Sequence, residues 1–367
     1  MKIRNIIFVF LGIILVASFI IILSFCGDPI INKTKSEEVL IQKYDEYANN
    51  PKNRLTKIDL NQPNDKLFEI GLDLLNNKYD IINAEKVFRH LESKDPNNPK
   101  YQYYKGRSSF FIGEFNYFPN QRDSYDVAYA EFVKLTATYP SNTDYLLMKS
   151  YAAGRIGLFI RQKDGLLKAF SKLMESSNLI NTILAREPDH TDALLTKGEI
   201  EYENPLGSKS EALKIYNYVS DKYPNNLRAK VLISKYYFKT AHEKNRENNQ
   251  EEFKKYLKLA ELELYKVQDL YAKGKAPKLP ETQQMMAYLP RNLGEIYWSQ
   301  GRQKEACEQF SIHNKIRNTS DSGYFWLGIC YKQQGEKEKA IKYFKKSLFY
   351  NKWNIGAQNM LKELHKK

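Results

Sequence analysis

Small and apolar residues recur along this chain at spacings that place them on one face of a helix. The recurrence is sharpest near the C-terminus, where five positions carry the same residue type again 34 positions later. The five pairs are Gly294 and Gly328, Tyr297 and Tyr331, Gly301 and Gly335, Ala306 and Ala340, and Phe310 and Phe344. Five identities at one offset are hard to obtain by chance, so the pattern predicts two consecutive copies of one structural unit.

Each copy has the residues that two antiparallel helices need. Small residues such as Gly294 and Ala306 let two helix backbones approach closely, and Tyr297 and Phe310 fill the space around them. Gly301 stands where a turn between the helices is expected, because glycine readily adopts the conformation that ends a helix.

A second-helix pattern extends this organisation upstream. It consists of an alanine, a large residue four positions later and a proline eight positions after that, which ends the helix. Three copies are clear and a fourth, beginning at Ser176, is weaker. The copies are Ala84–Phe88–Pro96, Ala128–Phe132–Pro140, Ala212–Tyr216–Pro224 and Ser176–Ile180–Pro188. The first helices carry Gly71, Gly106 and Gly198, whereas residues 251–274 match the pattern poorly.

The order Leu-Gly-x-x-Tyr followed by Gly, Ala and Phe on this period resembles the tetratricopeptide repeat. The resemblance implies an all-α, right-handed solenoid of about seven helix pairs over residues 64–352. Residues 353–367 are then expected to form a polar capping helix, because the last helix of a solenoid has no following repeat to cover it.

The N-terminal segment has a different composition. Lys2 and Arg4 precede an apolar, uncharged run over residues 6–26. A run of about 20 apolar residues is long enough to cross a bilayer core. We therefore expect a cytoplasmic segment at 1–5, a transmembrane signal anchor at 6–26 and a juxtamembrane segment at 27–63. This places the body in the periplasm, with a single pass through the inner membrane.

Two alternatives to the anchor remain open. Leu23-Ser24-Phe25-Cys26 resembles a bacterial lipobox, in which Cys26 would be lipidated, although Phe25 departs from the small residue usual there. A cleaved secretory signal is the other alternative. Both also send the body out of the cytoplasm.

Charge and candidate chemistry narrow the function classes. The net charge is +14, but many lysines alternate with glutamates, as in Glu336-Lys337-Glu338-Lys339, which is typical of a solvated helix face. This pattern argues against nucleic acid as a partner. The five histidines are scattered, and no phosphate loop, zinc helix or nucleophile elbow occurs. We therefore predict no catalytic site, metal, cofactor or small-molecule substrate.

Cys307 and Cys330 fall in adjacent units, where their thiols can meet. In an oxidising compartment they can form a bridge. Each position also suits a small buried residue, so the sequence leaves both states open.

The resemblance further implies that the concave face, formed by the first helices, binds protein partners. The corresponding residues are Tyr288, Arg291, Glu295, Trp298, Phe325, Lys332, Leu195, Glu199, Tyr202, Lys235 and Phe238. The alternative for Trp298 and Phe325 is simple packing between units. A chaperone-tail receptor is not expected, because Arg291 and Asn292 fit its carboxylate clamp only in part and Phe325, Trp326 and Ile329 do not fit it.

These features predict a non-enzymatic, membrane-anchored scaffold within a multiprotein envelope complex. The layout resembles that of tetratricopeptide proteins in the periplasmic flagellar collar of spirochaetes, which implies a role in motility. An outer-membrane or pilus assembly lipoprotein is one alternative, and it requires lipidation of Cys26. A recruiting subunit of an envelope enzyme is the other.

Overall fold

A computed structural model of the 367-residue chain describes residues 58–115, 121–204 and 207–366. Within these ranges every regular element is a helix, and there are fifteen of them. The first eight are α1 (Asn64–Asp73, continued by a π-helical turn at Leu74–Lys78), α2 (Ile81–Lys94), α3 (Pro99–Glu114), α4 (Gln121–Thr138), α5 (Thr143–Asp164), α6 (Leu166–Arg186), α7 (Thr191–Glu203) and α8 (Lys209–Lys222). The remaining seven are α9 (Leu227–Arg246), α10 (Gln250–Ala272), α11 (Pro280–Ser299), α12 (Gln303–Ile316), α13 (Asp321–Gln333), α14 (Lys337–Tyr350) and α15 (Ile355–Lys366).

Consecutive helices pack against each other in chain order, so α1 to α14 form seven pairs and α15 covers the last pair. The predicted all-helical solenoid is thereby confirmed. The predicted segments 1–5 and 6–26, and most of 27–63, lie outside the described residues. Within the described ranges no helix combines the length and apolar character needed to cross a bilayer.

Short polar residues fix where many helices begin. A side-chain oxygen at the N-cap accepts a hydrogen bond from a backbone N–H of the first turn, a group that has no partner inside the helix. Asn98, Asn142, Ser208, Asn226 and Ser320 cap their helices in this way. The helix boundaries therefore follow from local sequence as well as from the repeat.

A glycine against an aromatic ring sets the distance between the two helices in most pairs. A Cβ added to Gly328 would lie 2.6 Å from the ring of Phe344, and one on Gly294 would lie 2.6 Å from the ring of Phe310. Gly198 faces Tyr216 in the same way, at 2.5 Å. The ring occupies the space of a side chain, so the first helix must have none there.

Two pairs replace this contact with a hydrogen bond. In α5/α6, the Ser150 hydroxyl donates to the carbonyl of Ser176 at 3.0 Å. In α9/α10, the Ser234 hydroxyl donates to the carbonyl of Ala260 at 2.7 Å. These are the pairs whose sequences match the repeat least well.

The solenoid also turns back on itself. Arg107 of α3 pairs with Glu281 of α11 at 2.8 Å, although 174 positions separate them. Beside this pair, the Arg317 guanidinium donates to the carbonyl oxygen of Glu114 at 2.7 Å. Gln284 also donates to the Glu114 carboxylate. We call this set of contacts between α3 and the α11–α13 region the closure contact.

Candidate partner-binding surface

Four residues of α11 and α13 form a mixed aromatic and polar surface. Glu295 accepts a hydrogen bond from Arg291 at 2.9 Å and a second one from the indole of Trp326 at 3.0 Å. The Trp298 and Trp326 rings lie 5.8 Å apart. All four side chains remain partly exposed. We call Arg291, Glu295, Trp298 and Trp326 the tryptophan surface.

The helical repeat explains how this surface is assembled. Arg291, Glu295 and Trp298 are four and three positions apart on α11, so they share one helix face. Trp326 reaches them from α13, and its other side stacks on buried Phe310 at 4.7 Å. One carboxylate and one core ring thus fix the orientation of the indole.

A second group of predicted residues meets between α7 and α9. Glu199 accepts from Arg228 at 2.5 Å, and Lys235 pairs with Glu203 at 3.0 Å. Burial alone would raise the pKa of Glu199, but Arg228 and Lys235 hold it below its ordinary value. This carboxylate is therefore ionised and engaged in pairing, which gives it no role as a general acid.

The remaining predicted residues are dispersed. The Arg317 guanidinium lies 4.2 Å from the centre of the Tyr288 ring, at the closure contact. Phe325 packs against Phe344, and Lys332 pairs with Glu363 of α15. Phe238 contacts His242. The structure therefore divides the predicted concave face into separate local clusters.

Two predicted residues lie in the core. Leu195 is 0% exposed and Tyr202 is 8% exposed, and both pack in the cluster that joins α7, α8 and α9. The position on the first helix suggested a surface role, but an apolar side chain there is drawn into the gap between helix pairs. Neither residue is available to a partner in this conformation.

Three features of these surfaces were not predicted from the sequence, namely Trp326, Arg228 and the Glu114–Arg155 pair. Arg155 pairs with Glu114 at 2.6 Å, across α3 and α5. Arg228 also contacts Tyr151 and Asp192. A signal was present, because Trp326 and Arg228 are large polar-edged residues on predicted first helices. Their partners, however, come from other units.

Cys307 of α12 and Cys330 of α13 form a disulfide, with their Cα atoms 5.9 Å apart. The bridge resolves the alternative that the sequence left open, and it ties the sixth helix pair to the seventh. Among the described residues no three His, Cys, Asp or Glu side chains converge on a possible metal position.

Comparison with known proteins finds a family match for one repeat. Residues 322–352, which span α13 and α14, match the tetratricopeptide repeat family. No curated protein matches the chain significantly.

Solved structures resemble this chain at low identity. The human IFIT1 dimer with m7Gppp-AAAA is 15% identical, with a TM-score of 0.59, over 89% of this chain and 68% of that one. A tetratricopeptide repeat protein from Parabacteroides merdae is 17% identical, with a TM-score of 0.45, over 82% and 98%. At such identities the likeness concerns the fold alone.

Proposed function

We infer that this protein is a non-enzymatic scaffold that binds other proteins through the tryptophan surface, while an N-terminal anchor holds its solenoid outside the cytoplasm. The observation that carries the inference is the clustering of Arg291, Glu295, Trp298 and Trp326 on a rigid helical frame. Tryptophan and arginine are enriched where protein interfaces concentrate their binding energy. A matched tetratricopeptide repeat at 322–352 supports the same interaction role.

A protein partner is favoured over nucleic acid by the pairing of the first-helix cations. Arg107, Arg155, Arg228 and Arg291 each pair with a carboxylate. Phosphate binding would have to displace those carboxylates first, because nucleic-acid affinity depends on cations that neutralise phosphates.

The disulfide supports an extracytoplasmic body. Structural disulfides persist in oxidising compartments and are rare in the cytosol. Mass spectrometry of unreduced protein from native membranes should find no free thiol at Cys307 or Cys330. Two free thiols would remove this support for the compartment.

The tryptophan surface can be tested by capture of an identified partner. Changing Trp298 to Ala should reduce recovery of co-purifying envelope proteins at least tenfold, because a central aromatic anchor commonly contributes about 2 kcal/mol or more. Tyr271, an exposed aromatic on α10, provides the matched control as Tyr271→Ala. Equal recovery by both variants would locate binding elsewhere, and circular dichroism checks that Trp298→Ala remains folded.

An envelope machine is the assembly that best suits an anchored solenoid, and the periplasmic flagellar collar is our specific proposal. Deletion should abolish motility, and only an anchored copy should restore it. Normal swimming with intact motors would exclude the collar. The assembly-lipoprotein alternative requires metabolic lipid labelling at Cys26, and the enzyme-recruiting alternative requires an enzyme among the captured proteins.

A further inference from the structure

Two segments that are far apart in sequence meet at one edge of the solenoid. Phe159, near the end of α5, packs edge-to-face against Trp353 in the loop between α14 and α15, with ring centres 5.5 Å apart. This contact joins the region around the α5–α6 turn (residues 158–170) to the region that ends in the α14–α15 loop (residues 342–355). We call these two segments together the lysine edge.

The lysine edge carries the most exposed apolar side chains among the described residues. Leu167 is 78% exposed, and Phe349 and Ile355 are each 69% exposed. Solitary exposed apolar residues are normal on protein surfaces. Three of the most exposed ones on two segments that touch each other indicate a surface that something covers.

The same edge is strongly cationic. Residues 342–355 contain four lysines and no acidic residue. Within the described residues Lys342, Lys345 and Lys352 pair with no carboxylate. The α5–α6 turn adds exposed Arg161 and Lys163, and also Lys168, which lies 4.0 Å from Asp164 of the same turn. This differs from the four first-helix arginines at 107, 155, 228 and 291, each of which pairs with a carboxylate.

We propose that the lysine edge lies against an anionic phospholipid surface. Cations at the level of the headgroups with apolar side chains reaching below them are the features of a protein face that rests on a membrane. Charge complementarity selects anionic over zwitterionic lipid, since each lysine near the surface adds electrostatic attraction. This contact is made by the folded solenoid and does not depend on the N-terminal anchor.

Other occupants suit the edge less well. Single-stranded nucleic acid is held by successive aromatic faces on which bases stack. Of the three most exposed apolar residues of the edge only Phe349 is aromatic, because Leu167 and Ile355 are aliphatic. Protein interfaces are depleted in lysine and enriched in arginine, tyrosine and tryptophan. The cations of the edge have the opposite balance, because most of them are lysines.

Lysine acylation of the full chain in nanodiscs tests the proposal. One set of discs contains phosphatidylcholine alone and the other contains added phosphatidylglycerol. Lys345 and Lys352 should react at least threefold more slowly in the anionic discs. The difference should vanish at about 1 M salt, where the Debye length falls to about 3 Å. Lys254 and Lys258, exposed on α10, are the internal control and should react equally in both discs.

A variant separates apolar insertion from simple counter-ion effects. Leu167→Ser with Phe349→Ser and Ile355→Ser leaves every lysine in place, and it should abolish the protection. Leu262→Ser, at another exposed leucine, should not. Equal acylation in both discs, or equal slowing of Lys254 and Lys258, would overturn the proposal. Protection by an added RNA oligonucleotide or acidic peptide, but not by anionic lipid, would overturn it as well.

Discussion

Two groups of helix pairs bring their helices close together in different ways. One group is the pairs near the C-terminus, and the other is α5/α6 and α9/α10. In the first group Gly294 and Gly328 admit the rings of Phe310 and Phe344. In the second group Ser150 and Ser234 occupy the corresponding place, seven positions after the first residue of their helices, and bond to a carbonyl of the second helix. We call the two arrangements glycine-type and serine-type pairs.

The comparison shows that close approach is what the repeat preserves, and that the residue type is secondary. An aromatic ring on the second helix requires an empty space on the first. Where the second helix has Ile180 or Leu264 instead, four positions after the bonded carbonyl, a small hydroxyl fits and gains a hydrogen bond. A buried hydroxyl must find such a partner, because an unsatisfied one costs about 1–3 kcal/mol.

The largest expected effect comes from filling the space of a glycine-type pair. Gly328→Val places a side chain within the ring of Phe344, and it should lower the free energy of unfolding by about 3 kcal/mol. Urea denaturation measures the loss. If the variant were as stable as wild type, the α13/α14 interface would have room for a side chain at position 328, and the close approach would not be required there.

A double variant sharpens this test by converting one type into the other. Gly328→Ser alone should destabilise the pair, and adding Phe344→Leu should restore part of the loss, because the smaller side chain leaves room for a hydroxyl. Additive losses in the double variant would mean that the two residues do not share the space.

The next effect concerns His313, which lies fully buried in the glycine-type region. Its Nδ1 is 2.7 Å from the carbonyl oxygen of Ala287, and its Nε2 is 3.1 Å from the hydroxyl of Ser320. Burial, aided by Arg317 and Arg291, lowers its pKa from 6.5 to about 4, so the folded protein keeps the ring neutral.

The sign of the pH effect follows from this difference. The unfolded chain binds a proton near pH 6.5 and the folded chain does not, so stability is complete above pH 6.5 and falls as the pH approaches 4. The loss from His313 should be about 3 kcal/mol. His313→Gln should flatten the dependence of the urea midpoint between pH 7 and 4. An unchanged slope would assign it to other groups.

The smallest expected effect belongs to the serine-type pairs. Ser234→Ala removes one hydrogen bond and leaves the Ala260 carbonyl in its helix, so the loss should be about 1 kcal/mol. Ser150→Ala also removes the contact with the buried Ser176 hydroxyl at 3.0 Å, so its loss should be somewhat larger, and both losses can be measured by urea denaturation. A loss as large as that of Gly328→Val would erase the distinction between the two types.

The sequence predicted the fold well where side chains of one unit contact each other. Gly294 and Phe310, for example, belong to one helix pair and contact each other, so their fixed spacing in the sequence reflects a contact within that pair. The serine-type pairs were harder to recognise from the sequence. Ser150 and Ser234 each bond to a backbone carbonyl, and every residue has one, so no particular residue type is required on the second helix.

The candidate site was less predictable, since it depends on contacts between units. Glu295 orients Trp326 from the preceding pair, and Glu114 meets Gln284 after 170 positions. A repeat rule concerns only neighbours, whereas small rotations that accumulate along the solenoid bring α3 to α11. The prediction that Leu195 lies on the binding surface was wrong, because it rested on the position of the residue in the repeat and not on its apolar side chain, which is buried.

The closure contact has a mechanical consequence. An open stack of helix pairs can lengthen elastically when its ends are pulled, because each pair can rotate slightly against the next. The closure contact joins α3 directly to α11, so the helix pairs between them form a closed segment. Tension applied across it must first separate Arg107 from Glu281 and Arg317 from the Glu114 carbonyl before the helix pairs can fan apart. Within the segment from α3 to α13, resistance to extension is therefore expected to depend on these polar contacts in addition to the packing between neighbouring helix pairs.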